Sequence, residues 1–248
     1  MWNWIYKFGS PKWFYKLTTG AVFWLTIGSV TLFGVGLIWA LGFAPPDYQM
    51  GDNYRIIYIH VPAAGLMKGC YYLMALMSFG YLMWNIKMAD IVAKACVPIG
   101  ATATLLMLVT GSLWGKPTWG VYWIWDARLT SSLLMLFIYM GIMSLRSGYD
   151  SKETAAKVCA ILCLVGLVNL PIIQYSVDWW NTLHQPASNL SLRDTSANPP
   201  EIWIPAFIMG FGMISFFFLS LIIRVRTEIL VRERRSSWVK ELFSGARN

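Results

Sequence analysis

Residues 202–223 read Ile-Trp-Ile-Pro-Ala-Phe-Ile-Met-Gly-Phe-Gly-Met-Ile-Ser-Phe-Phe-Phe-Leu-Ser-Leu-Ile-Ile, an uncharged run closed by Arg224. A helix needs about 17 to 25 such residues to cross the hydrocarbon of a bilayer. Working outward, five more uncharged runs lie between charged side chains, at 17–46, 69–86, 95–115, 129–145 and 158–177. They are continuous, not alternating, and a bilayer offers no partner to open backbone groups, so helices are expected over strands. The expected fold class is an all-α integral membrane protein, with six transmembrane helices forming one domain over 1–248. Composition points the same way: 57% of the 248 residues are hydrophobic and 13% charged, against about 25% charged in soluble domains.

Charge sets the expected orientation, because Lys and Arg flanking the spans stay on the cytoplasmic side. Lys7, Lys12, Lys16, Lys87, Lys94, Arg146, Lys152, Lys157 and the seven basic residues from Arg224 onward give fifteen on one side. Arg55, Lys68, Lys116, Arg128 and Arg193 give five on the other. Both termini are therefore expected in the cytoplasm, with outer segments at roughly 44–60, 114–128 and 178–201. The net charge of +8 is thus topological, and nucleic acid is not an expected partner; the basic tail is expected to meet membrane lipid. The first run follows three lysines like a signal peptide, but it exceeds a signal h-region and lacks a clear cleavage site, so it reads as a retained helix.

Several chemistries are disfavoured. Gly111-Ser-Leu-Trp-Gly115-Lys116-Pro117 is one residue short of a phosphate loop and has Pro where Ser or Thr must hold magnesium. The four cysteines, Cys70, Cys96, Cys159 and Cys163, form no Cys-x-x-Cys pair and read as packing or lipid-facing thiols. The dispersed methionines read as packing residues.

The second outer segment is different: Trp114-Gly-Lys-Pro-Thr-Trp119-Gly-Val-Tyr122-Trp123-Ile-Trp125-Asp126-Ala-Arg128-Leu-Thr-Ser131. Interfacial aromatics gather at membrane surfaces whatever the function. A belt, however, needs neither the interleaved glycines nor Asp126 and Arg128 at a helix mouth, where charge is costly unless paired or used. At helical spacing Trp119, Tyr122, Trp123 and Asp126 share one face, an aromatic platform ending in a carboxylate and suited to a planar ligand. The chain has two histidines, His60 and His184, both in outer segments and both preceded by aromatics. Two imidazoles facing the compartment of that platform suggest axial ligands for an iron porphyrin. Zinc would want more donors than these segments offer at ligand spacing.

The stretch from Trp119 to Thr130 resembles, without departure, the W-G-x-x-W-x-W-D-x-R-L-T core of the WWD-motif family, the haem-handling membrane proteins of cytochrome c maturation. Chain length, the six runs and one outer histidine on each side of the motif extend the resemblance to the family's haem exporter protein C branch. It implies a multi-pass protein of the bacterial inner membrane that holds haem b (iron protoporphyrin IX) on the segment 114–131. His60 and His184 are implied as axial ligands, and Trp114, Trp119, Tyr122, Trp123, Trp125, Asp126 and Arg128 as the cofactor-binding set. The implied role is to present haem at the periplasmic face to a periplasmic haem chaperone for covalent attachment. The implied partners are an ABC-type ATPase, a second membrane subunit and a small single-helix subunit. Two side chains stay open: Arg128 faces either a haem propionate or Asp126, and Lys68 snorkels, faces the bundle or meets a propionate. Two rival readings remain, a bis-histidine haem anchor for transmembrane electron transfer and a cofactor-free permease. Inner histidines would favour the first and intramembrane polar residues the second.

Overall fold

The computed structural model describes residues 9–184 and 200–244, and these are mostly helical, with an isolated β-bridge between Asp47 and Gly51. Helices α1 (Pro11–Leu17) and α2 (Thr19–Gly42) come first, and a 3-10 turn over Asp52–Ile56 leads into α3 (Ile57–Trp84). Then follow α4 (Lys87–Trp119), α5 (Ala127–Gly148), α6 (Lys152–Gly166), α7 (Asn169–Trp179), α8 (Pro200–Arg232) and α9 (Ser237–Ser244).

The uncharged runs at 95–115, 129–145 and 202–223 each lie within a helix that continues past them into charged residues. A charge interrupts an apolar run without ending a helix, since Lys and Arg are good helix formers whose long stems carry the charge to the interface. The extension matters most in α3, which begins well before its run at 69–86 and so takes in His60 and Lys68. Among the described residues, five helical stretches are long and apolar enough to cross a membrane: Thr19–Gly42, Lys87–Trp119, Ala127–Gly148, Lys152–Trp179 and Pro200–Arg232. The 28-residue α3 is not one of them. Lys68 and the tyrosines Tyr58, Tyr71, Tyr72 and Tyr81 dilute its apolarity, and it lies inside the bundle with Tyr58, Met67, Tyr71 and Met74 buried.

The stretch Lys152–Trp179 is broken between Gly166 and Asn169. Pro171 has no N–H for the carbonyl of Leu167, which instead accepts from Leu170 N at 3.2 Å in a tighter turn. Asn169 Nδ2 fixes the break to α5 by donating to Ser131 O at 2.8 Å.

In the bundle α3 lies along α4 and α2 along α8, while α5 packs on α4, α6 and α7. Two tyrosines bond across helices in the centre: Tyr71 OH donates to Cys163 O at 2.9 Å and Tyr139 OH to Met67 O at 3.2 Å. All four cysteines are free and buried, so they pack the core and do not face lipid. At the opposite end from the Trp-rich segment, buried Asp90 takes Arg146 and Arg232 at 2.7 Å each, and Glu228 takes Lys94 and Arg232 at the same distance. Removing one partner from such an enclosed network would leave an uncompensated charge, costing about 3–5 kcal/mol.

Candidate functional site

Helix α4 ends at Trp119 because Gly120 adopts φ +79°, a left-handed conformation that favours glycine. Residues 120–126 are irregular, and α5 restarts at Ala127 with Asp126 as its N-cap, accepting from Leu129 N at 2.7 Å. Trp119, Tyr122, Trp123 and Asp126 therefore do not share a helical face: the glycine that permits the turn also interrupts the periodicity. Of these rings, Trp119 and Trp123 line a cavity of about 400 Å³ between α3, α4, α5 and α7, within the size range of small-molecule sites.

His60 and His184 both line this cavity, as do Trp114, Trp119, Trp123 and Arg128. Tyr122 and Trp125 are not among the lining residues; they are 56% and 76% exposed, and Tyr122 lies 5.3 Å from Lys116 Nζ. The ring of Trp114 meets His60 edge-on at 5.7 Å, and that of Trp119 lies tilted 6.1 Å from His184. Trp123 Nε1 is buried without a hydrogen-bond partner in the protein, an orphan donor of the kind a ligand satisfies.

The first turn of α3 carries His60 against α4 at Gly111, where a Cβ would come within 2.9 Å of His60 Cε1. His60 Nδ1 lies 3.1 Å from Thr110 Oγ1, and that hydroxyl donates its proton to Leu106 O at 2.7 Å. With the hydroxyl proton on Leu106 O, the imidazole donates from Nδ1 to Thr110 and keeps a lone pair on Nε2, as metal ligation by that nitrogen requires.

His184 is held by different means. Arg128 donates through Nη1 to His184 Nδ1 at 3.2 Å, through Nε to Ser176 Oγ at 3.1 Å and through Nη2 to Gln174 O at 3.0 Å. Asp126 acts on Arg128 through its charge but makes no hydrogen bond to it: the carboxylate takes Leu129 N and the hydroxyl of Thr182, whose Oγ1 accepts His184 N–H at 3.0 Å. Asp126 therefore both starts α5 and fixes the loop that carries His184. Lys68 faces the cavity and does not snorkel, with Nζ donating to Gln174 Oε1 at 2.7 Å. Lys68 and Arg128 thus place two cations on one wall. Sequence reasoning did not single out Thr110, Gln174, Ser176 or Thr182, and read Gly111 only within a failed phosphate-loop match, since their roles are contacts across helices and loops. Lys68 inside an otherwise apolar helix and Arg128 at a helix mouth were the advance signals for that wall.

These residues suit an iron porphyrin: two imidazoles for an iron, indole walls for a flat apolar ring and two cations for acidic substituents. A family model described as Heme exporter protein C, CcmC, matches residues 4–240. The chain is 46% identical over 244 residues to Heme exporter protein C of Escherichia coli (strain K12), covering 98% of each. It is 41% identical over 242 residues to that of Haemophilus influenzae, again covering 98% of each. It is 46% identical over 177 residues to a putative cytochrome c biosynthesis ccmC-like mitochondrial protein of Marchantia polymorpha, covering 71% of this chain and 73% of that one. With the family matched over nearly its whole length, the chain belongs to the CcmC family of haem exporter C proteins.

Proposed function

We propose that this protein binds haem b in the cavity beside the Trp-rich segment, with His60 and His184 as axial ligands, and presents it to a periplasmic haem chaperone. The observation that carries the reading is the meeting of the chain's two histidines, far apart in sequence, on one aromatic-walled cavity that also holds Lys68 and Arg128. As a member of its family with multiple membrane-crossing helices, the chain is a multi-pass protein of the bacterial inner membrane that takes part in haem handling for cytochrome c maturation. The two cations suit propionates, and Trp114, Trp119 and Trp123 suit the porphyrin face. The protein's contribution is to fix the plane and orientation of the ring, while iron and porphyrin carry the reactivity. The proposal includes six membrane-crossing helices, both termini in the cytoplasm and the cavity at the periplasmic face. ATP is used by an ABC-type partner that acts with a second membrane subunit and a single-helix subunit.

The test follows the covalent haem–chaperone product in membranes carrying wild-type protein or its His60→Gly and His184→Gly variants. Each variant should lose most of the product while inserting normally. Undiminished product from both would overturn the reading.

A further inference from the structure

A second cavity of about 630 Å³ lies between α4, α5 and α8, away from the haem-handling site, and Lys94, Arg146, Arg224 and Glu228 line it. The sequence gives these residues a common level. Lys94 immediately precedes the uncharged run at 95–115, Arg146 follows that at 129–145 and Arg224 follows that at 202–223. All three cations therefore sit where a span leaves the hydrocarbon, at headgroup height. The apolar lining residues Val97, Pro98, Ile142, Met143 and Ile223 belong to those same runs and lie on the hydrocarbon side of the charges.

The local charge does not balance. Asp90 and Glu228 are the carboxylates of the network, against Lys94, Arg146, Arg232 and the neighbouring Arg224, which takes part in none of its ion pairs. Arg146 commits Nη1 to Asp90, so the excess positive charge rests on the exposed Arg224. We infer that this cavity holds the phosphodiester headgroup of an acidic phospholipid from the surrounding leaflet, with its acyl chains against the apolar wall. Basic pockets between membrane helices recognise such headgroups through charge, and the adjoining wall separates a lipid from a free anion.

Native mass spectrometry of the purified full-length protein, titrated with phosphatidylglycerol or phosphatidylcholine, tests this. Arg224→Gln should weaken phosphatidylglycerol binding about fivefold, whereas Arg224→Lys should retain it. Arg234→Gln, an equal loss of charge outside the cavity, should leave binding unchanged, as should added inorganic phosphate. Equal effects of Arg224→Gln and Arg234→Gln would reduce the attraction to general surface charge and overturn the site. Equal binding of the two lipids, or displacement of phosphatidylglycerol by phosphate, would overturn the ligand assignment.

Discussion

Arg128 donates to His184 Nδ1 at 3.2 Å, while His60 Nδ1 faces Thr110 Oγ1 at 3.1 Å. Arginine has no acceptor, so a neutral His184 in this arrangement carries its proton on Nε2, whereas His60 carries its proton on Nδ1. These contacts fit opposite tautomers at the two histidines. If His184 held a haem iron through Nε2, its proton would sit on Nδ1 and Arg128 would have to turn away, and a propionate would be a suitable new partner for the guanidinium.

Selective 15N-histidine labelling tests the tautomers without haem, since the chain has only two histidines. The expected spectrum at neutral pH has one ring protonated at Nδ1 and one at Nε2. Arg128→Ala should alter the His184 signals alone. Two rings of the same tautomer would contradict the assignment.

Gly111 offers a test by volume. Because a Cβ there would come within 2.9 Å of His60 Cε1, Gly111→Val should displace the imidazole and lower haem retention nearly as much as His60→Gly. Helix α4 should still form, as judged by circular dichroism. Full haem retention in Gly111→Val would mean that His60 does not need this position.

Asp126 connects the start of α5 to the His184 loop. Asp126→Ala should cost about 1 kcal/mol through loss of the cap and should also reduce the haem–chaperone product by freeing Thr182. Asp126→Asn keeps a capping acceptor and should lose less of both. Equal losses in the two variants would point to the charge itself instead of positioning.

The aromatic residues should separate into two groups. Trp119→Ala and Trp123→Ala remove cavity wall and should lower haem retention in the purified protein, while Trp125→Ala and Tyr122→Ala, at exposed positions away from the lining, should not. Normal retention and delivery in both wall variants would return the segment to an interfacial belt.

For orientation, a reporter fused after Asn248 should be active only in the cytoplasm, and a cysteine replacing Ser188 should react with an impermeant reagent from the periplasm. Both positions lie outside the described residues. Cytoplasmic labelling at 188 would discard the orientation.

The sequence made the helical membrane class legible because hydrocarbon imposes its requirement residue by residue, as the run at 202–223 shows. It placed α3 less well: the Tyr and Lys side chains that turn this helix toward its neighbours are also those that blur a hydropathy signal. At the site, the aromatic and histidine content was legible by type and compartment. The geometry was not. Gly120 breaks the helical face that spacing implied, and Asp126 proved to hold Thr182 and Leu129 rather than Arg128. Local periodicity carries no information about a reversal at one glycine, and no spacing rule pairs Lys68 with Gln174 across two helices.

The most direct test of the central claim is the absorption spectrum of the haem-loaded protein against its His60→Gly/His184→Gly double variant. Two axial imidazoles predict a six-coordinate, low-spin spectrum in the parent. Each single variant should lose haem and recover part of its spectrum on adding imidazole, and the double variant should retain little haem. A double variant with unaltered haem content and spectrum would contradict the ligand assignment, and with it the reading of this cavity as a haem site.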